Sequence, residues 1–371
     1  MTTTIADTAF FDTDSLRLLR GGLALSVRAG DWRLDTPDGP VDFAGSDLGV
    51  PPTLSRLLRA YTRDDELVPV AHLPGGGITR LRAAVGDRLV PPERPPDGSA
   101  RGVVLEYVRR QLAALAAADL AVRRGRPDAV HRMRVAARRL RGVFSAYPEV
   151  LGGRKLLREV GGALRWLGGE LAPARDTEVH WARSRPWADE RSDAYFAALT
   201  EEAGARARRA LDSRRYVQLL NALDVLELVL AEEPRREWRK AARRPAAKVL
   251  PRLVRVVAAD VDARVARVAA LPAGPARDRA VHDVRKAAER LRYALEAAGA
   301  KPALREFQDL LGEFQDAVVA REHLRALAVR DGPVHDGEAA AAARCVEALP
   351  SAWHALREDL RPLWTGSGEG T

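Results

Sequence analysis

A mainly helical protein with a small β-rich N-terminal region is the fold class this sequence predicts, and three observations predict it. The first is an internal repeat. Ala129-Val130-His131-Arg132-Met133-Arg134-Val135-Ala136-Ala137-Arg138-Arg139-Leu140-Arg141 returns as Ala280-Val281-His282-Asp283-Val284-Arg285-Lys286-Ala287-Ala288-Glu289-Arg290-Leu291-Arg292. His131, Arg134, Arg139, Leu140 and Arg141 align without a gap on His282, Arg285, Arg290, Leu291 and Arg292, as two copies of one helical unit related by a pseudo-two-fold would. The second is texture: from about residue 100 onward Ala, Leu and Arg recur with a period of 3.6, broken by Gly and Pro at intervals suited to helices of about 15–25 residues. The third is a set of short strand-type runs punctuated by Gly and Pro before residue 90. The helical part is therefore expected as two pseudo-symmetric bundles of about four helices each.

Taken in order, Phe10-Phe11-Asp12-Thr13, Leu23–Arg28 and Trp32–Leu34 are the expected strands, separated by Gly21-Gly22, Ala29-Gly30 and Pro37-Asp38-Gly39. A β region over 1–90 gives way to a Pro-rich linker at 91–99 and a helical region over 100–365, with halves of about 100–230 and 235–365. A Gly/Ser tail at 366–371 is expected to be disordered. The repeat extends past its first helix, since Leu164-Arg165-x-Leu167 and Leu171-x-x-x-Arg175-Asp176 match Leu304-Arg305-x-Phe307 and Leu311-x-x-x-Gln315-Asp316. His131 to Asp176 spans 45 residues and His282 to Asp316 spans 34, so the first copy holds 11 more. These are expected in the connection around 145–155.

Of 371 residues, 60 are Lys or Arg and 51 are acidic, a net charge of +9 and a pI near 10.1. Arg carries nearly all of the positive charge, and its rigid, always-charged fork suits phosphate better than the point charge of Lys. The single cysteine, Cys345, excludes a disulfide framework within the chain and fits a reducing compartment. No apolar run approaches the roughly 20 residues of a membrane span, and no signal segment is evident, so a soluble cytoplasmic protein is expected.

His131, Arg134, Arg138 and Arg141 fall at i, i+3, i+7 and i+10, one face of a helix, while Val135, Leu140 and Phe144 fall off it. Five Arg and no acid occur from 131 to 141, and like charges at i+3 and i+4 each cost about a few tenths of a kcal/mol. The second copy keeps His282, Arg285, Lys286, Arg290 and Arg292 but places Glu289 at i+7. Further basic density lies at 235–255, with nine Lys/Arg against Glu237. These stripes point to an anion-binding surface, with a solvated or ion-pairing surface as the alternative that periodicity leaves open. The two histidines are read as donors to an anionic oxygen, better so once an anion favours imidazolium. Their Arg neighbours repel cations, so neither a metal nor another cofactor is expected.

The pattern His-x-x-Arg-x-x-x-Arg-Arg-Leu-Arg, its second copy continuing through Arg292, Tyr293 and Glu296, and Leu171-Ala-Pro-Ala-Arg-Asp176 resemble the CHAD (conserved histidine α-helical domain) family over about residues 100–365. The resemblance implies two four-helix bundles around a basic groove or pore that binds inorganic polyphosphate. It also implies the ligands: His131, Arg134, Arg138, Arg139 and Arg141, then His282, Arg285, Lys286, Arg290 and Arg292, with Arg165 and Arg175 beside them. The N-terminal Phe10-Phe11-Asp12-Thr13…Arg17-Leu18-Leu19-Arg20 and Trp32-Arg33-Leu34-Asp35-Thr36-Pro37 resemble a truncated CYTH, or triphosphate-tunnel, domain. That family's Glu-x-Glu-x-Lys strand has no match before Phe10, and Asp35 stands in place of its Lys. The resemblance thus implies a remnant without the paired acids that would hold Mg²⁺. No enzyme is expected. The expected partner is polyphosphate, with location on cytoplasmic polyphosphate granules. Nucleic acid is disfavoured because the stripes hold only Tyr293 and Phe144 as aromatics, both read as core. A metal-dependent tri- or polyphosphatase is the enzymatic alternative, and homo-oligomerisation is left open.

Overall fold

Alternation of apolar and polar residues builds the N-terminal sheet. In the computed structural model, which describes residues 7–45, 49–63, 65–74, 77–89, 98–184, 189–232, 239–300, 304–326 and 333–365, five strands run β1 (Asp7–Asp12), β2 (Ala24–Arg28), β3 (Asp31–Thr36), β4 (Gly39–Ala44) and β5 (Val68–Pro74). They pair antiparallel in the order β4-β3-β2-β1-β5. The strands expected from sequence are all present, and two more flank them. β4 follows from the Pro37-Asp38 turn, which pairs Thr36 with Gly39. β5 tolerates Pro69 because it is an edge strand, and a bulge between Phe10 and Phe11 absorbs it. The Pro-rich 91–97 segment, Arg235, Arg236 and the 366–371 tail lie outside the described residues.

The helices are α1 (Arg17–Arg20), α2 (Pro52–Thr62), α3 (Ile78–Val85), α4 (Ala100–Arg123), α5 (Ala129–Ala146), α6 (Pro148–Leu151), α7 (Arg154–Glu170), α8 (Ala172–Ser184), α9 (Glu190–Asp212), α10 (Arg214–Glu232), α11 (Lys240–Arg243), α12 (Ala246–Ala269), α13 (Pro275–Ala297), α14 (Arg305–Ala326) and α15 (Pro333–Thr365). The chain forms two compact units. The first holds Met1–Pro95, Arg109–Arg138 and Glu159–Val229, and the second holds Pro96–Val108, Arg139–Arg158 and Leu230–Thr371.

In the first unit, one sheet face presents Leu25, Val27, Trp32 and Leu34 to Leu54 and Leu58 of α2 and to Leu120 of α4. The other face carries Phe10 and Ala24 against Leu16, Leu19 and Leu81. Asp12, 1% exposed, is the cap that holds α1. Its carboxylate accepts the backbone N–H groups of Thr13 (2.7 Å), Leu18 (2.9 Å) and Leu19 (2.9 Å), donors a helix start otherwise leaves unpaired. Asp224 of α10 ties the β region to the helices: it accepts from Arg17 Nη1 at 2.8 Å and from Arg63 Nη2 at 3.1 Å.

In the second unit, α12 packs on α13 and α15, and α14 packs on the same two, closing a four-helix ring. Its core is Val261 and Val265, Val284 and Leu291, Phe307 and Phe314, Leu349 and Trp353. The Phe307 and Trp353 rings lie 5.3 Å apart, and Trp353 Nε1 donates to Asp262 at 2.8 Å. The entries to α4 and α12 are joined reciprocally: Ala100 N–H donates to Arg244 O and Ala246 N–H to Gly98 O, each at 2.9 Å. Both helices are 24 residues long, as the matched first helices of two repeat copies would be.

The 11 extra residues of the first copy correct one expectation. They are not a longer connection. α7 starts at Arg154, well ahead of Leu164, whereas α14 starts at Arg305, directly after the matching Leu304. The insertion is added helix, because Leu157 and Val160 continue the apolar period and are buried.

Asp224→Ala tests the first unit's tie. Arg63 is 13% exposed, and losing its carboxylate should cost about 3 kcal/mol. A lower melting temperature with unchanged helical circular dichroism is expected; an unchanged melting temperature would remove Asp224 from this role.

Candidate anion-binding site

The first stripe straddles the two units, with His131, Arg134 and Arg138 in the first and Arg139 and Arg141 in the second, which also holds the whole second stripe. In the first unit, α5 presents His131, Arg134 and Arg138 half-buried, α8 adds half-buried Arg175, and Arg165 stands exposed on α7. Arg134 Nη1 donates to the Gly168 carbonyl at 3.1 Å. Arg175 Nη1 reaches Glu178 at 3.1 Å and Asp128 at 3.3 Å. Even so, the cations dominate. Burial lowers the pKa of His131, and the Arg175 and Arg138 guanidiniums lower it further, against the weaker opposing pull of Asp128 and Glu178. Arg134 is likewise lowered, chiefly by burial; Asp176 opposes this more strongly than either Arg138 or Arg175 adds to it. Burial and nearby guanidiniums hold His131 and Arg134 below their ordinary protonation, so an anion placed here would favour their charged forms.

Sequence reasoning missed what lies beside them. α7 carries Gly161, Gly162, Gly168 and Gly169, and a Cβ at any of the four would meet open space. Gly161, Arg165 and Gly168 fall at i, i+4 and i+7, one face. That face is an open strip with one guanidinium on it, at the helix whose Gly168 Arg134 already touches. The signal was available as two Gly-Gly pairs in an otherwise helical pattern, since Gly inside a helix needs a packing or functional reason.

In the second unit the same residue types meet acids. His282 Nδ1 lies 3.0 Å from Gln315 Oε1, and Gln315 is the match of the Arg175 that acts on His131. Arg285 Nη1 donates to Leu311 O at 3.3 Å, the counterpart of Arg134 on Gly168. Arg139 Nε pairs with Glu296 at 3.0 Å and Arg292 with the same carboxylate at 3.7 Å, while the Tyr107 hydroxyl donates to it at 2.9 Å. Arg290 pairs with Asp260 at 2.6 Å and Arg264 joins it at 3.0 Å. Burial would raise the Asp260 pKa, but the bonds from Arg264 and Arg290 hold it below the ordinary carboxylate range. Lys286 is exposed, 3.8 Å from Asp283. Arg141 is half-buried, and Glu289 is half-buried on α13.

The expected ligands therefore divide by circumstance. His131, Arg134, Arg138 and Arg175 form one cationic cluster in the first unit, with Arg165 exposed on α7. His282, Arg285 and Lys286 keep donors near solvent in the second. Arg139, Arg290 and Arg292 are engaged by Glu296 and Asp260. Gly142 lets α5 and α13 approach beside these pairs: a Cβ there would sit 2.8 Å from the Tyr293 ring, and the Tyr147 hydroxyl donates to Ala294 O at 2.6 Å. The basic run at 239–255 is exposed throughout, with Arg252 paired to Glu149 at 3.1 Å. Among the described residues, no group of three or more His, Cys, Asp or Glu is placed to hold a metal ion, and no helix is long and apolar enough to cross a membrane.

Helices and site together define a helical module with duplicated histidine–arginine stripes. The chain belongs to the CHAD domain family, whose profile matches residues 106–325. Two curated Mycobacterium tuberculosis proteins, Uncharacterized protein MT2285 (strain CDC 1551 / Oshkosh) and Uncharacterized protein Rv2226 (strain H37Rv), are each 33% identical over 361 residues, which cover 89% of this chain. The chain spans 66% of the length of these relatives. Among solved structures, the CHAD domain from the plant Ricinus communis matches with a TM-score of 0.52 and 24% identity, over 72% of this chain and 93% of that one. PptA from Streptomyces chartreusis matches with a TM-score of 0.48 and 20% identity, over 72% of this chain and 99% of that one.

Two outcomes follow from these environments. Glu296→Gln should lower stability by about 1–3 kcal/mol, read by denaturant unfolding; equal stability would mean that Arg139 and Arg292 do not need the carboxylate. For His131, the unfolded chain takes up its proton near pH 6.5 while the folded imidazole resists it. Stability is then present above that pH and lost as pH falls towards the lower folded value. His131→Gln should flatten this acid-side loss, and an unaltered profile would refute it.

Proposed function

We propose that the helical region binds inorganic polyphosphate without turning it over. The observation that carries this reading is the first unit's cluster of His131, Arg134, Arg138 and Arg175, in which burial and neighbouring guanidiniums lower the protonation of His131 and Arg134, beside an open glycine strip. A flexible polyanion without bases supplies the missing charge, and each phosphoryl oxygen takes a charge-assisted hydrogen bond. The strip admits an extended chain close to the α7 backbone. His282, Arg285 and Lys286 repeat the chemistry in the second unit. Binding would raise the pKa of His131 and take up a proton, so affinity should increase as pH falls through neutrality. Through this binding the protein would be held on polyphosphate granules.

The β region would be a CYTH-like remnant without catalysis. Arg33 of β3 is exposed, but Asp35 at 3.0 Å and Asp42 at 3.7 Å already pair with it.

Labelled long-chain polyphosphate, titrated at two salt concentrations with triphosphate and poly(A) RNA as competitors, tests the reading. Salt-sensitive binding that RNA cannot displace supports it; absent binding, or displacement by RNA at equal charge, overturns it. Arg134→Ala with Arg285→Ala should weaken binding about tenfold or more, at roughly 1.5–3 kcal/mol per lost contact, with helicity intact. Gly161→Leu should also weaken it by filling the strip. If Arg243→Ala with Lys248→Ala abolishes binding while the first pair leaves it unchanged, the site lies on the exposed basic run instead.

A further inference from the structure

The second unit carries a basic surface that shares no residue with the histidine–arginine stripes. Arg239, Lys240, Arg243, Arg244, Lys248 and Arg255, on α11, α12 and the residues flanking α11, are all exposed. None of the six has an ion pair or a side-chain hydrogen bond among the described residues, and the run's one acid partner there is Glu149, on Arg252. Elsewhere in this unit helical cations find acids one turn away, as Arg264 does at Asp260, Lys286 at Asp283 and Arg361 at Glu358. The run also stands at the wrong end of its helix. α12 starts with no acid in its first turn and no side-chain cap, while Arg243, Arg244 and Lys248 crowd its N-terminus, where the helix dipole is already positive. Cations set against both their neighbours and the dipole carry a cost that an external anion offsets.

We propose that this surface binds the phosphate backbone of duplex DNA without reading its sequence. Lys248, Arg252 and Arg255 fall at i, i+4 and i+7, one exposed line about 10 Å long at about 1.5 Å per residue. Over that length a duplex presents about six phosphate charges. Other anionic partners fit less well. No residue from 239 to 255 is aromatic, so unstacked bases find no platform, and an acidic protein finds no anchor of the kind that dominates protein interfaces. Among the described residues Val256 is the one large apolar side chain exposed on α12, too little to insert into a bilayer. Polyphosphate, a single thin chain, is served by the half-buried cluster of the first unit. A duplex is far wider and reaches only side chains that stand clear of the surface, as these do. The two sites have no residue in common, so this one stands or falls apart from polyphosphate binding.

Fluorescence anisotropy of short labelled DNA duplexes of two unrelated sequences, titrated with the full chain over a salt series, is the test. Both should bind alike, with Kd on the order of 1–100 μM at physiological salt. Arg243→Ala, Lys248→Ala and Arg255→Ala together should weaken binding about tenfold or more and lower the slope of log affinity against log salt by about 3. This triple variant should melt no earlier than the parent, because its three side chains have no partner to lose. Arg134→Ala with Arg285→Ala should leave duplex binding unchanged. No duplex binding, strong preference for one sequence, poly(A) RNA or phosphatidylserine vesicles bound at least as tightly, or an unaltered salt slope in the triple variant would each overturn the proposal.

Discussion

Crowding of guanidinium groups is the constraint around which this chain is built. Five arginines and a histidine within eleven residues of α5 repel one another, and such a helix persists only where other elements return carbonyls and carboxylates to it. Arg134 and Arg285 both find a backbone carbonyl on the next matched helix, at Gly168 and Leu311. Those two bonds orient the side chains without neutralising them. Carboxylates do the neutralising, and their placement decides which arginines remain available.

Placement differs sharply between the two units, not between the two copies, since Arg139 of the first copy and its match Arg290 both meet acids in the second unit. Glu296 gathers Arg139, Arg292 and the Tyr107 hydroxyl at one carboxylate, and Asp260 holds Arg290 with Arg264. Around His131 the acids are Asp128 and Glu178, both already on Arg175, and the balance stays positive. One repeated sequence thus serves two ends. In the second unit it is mostly framework, and in the first it leaves charge in reserve.

Much of this was legible beforehand, and the exceptions have physical reasons. The repeat, the helical texture and the strands at Phe10, Leu25 and Trp32 are periodic features, and periodicity survives translation into structure. β4 and β5 escaped because Pro40 and Pro69 interrupt them, although β4 alternates in burial, and edge strands tolerate proline. The sequence places the insertion in a connection around 145–155, yet the added residues extend the α7 helix. In the site, spacing could name the arginines but not their acid partners. Asp260 lies 30 residues from Arg290 and Glu296 lies 157 from Arg139, separations that only a folded chain resolves.

The glycines of α7 have a consequence for motion. Each lowers helix propensity by about 0.5–1 kcal/mol relative to Ala, so the segment from Gly161 to Gly169 is held by its buried leucines more than by its own backbone. Its amide hydrogens should exchange through frequent local opening, on the low-stability end of the unit. Any chain that lies along this face would damp those openings, and the helix would stiffen as the charge beside it is matched. Order in α7 and occupancy of the strip are then one equilibrium, in which backbone entropy sets part of the affinity.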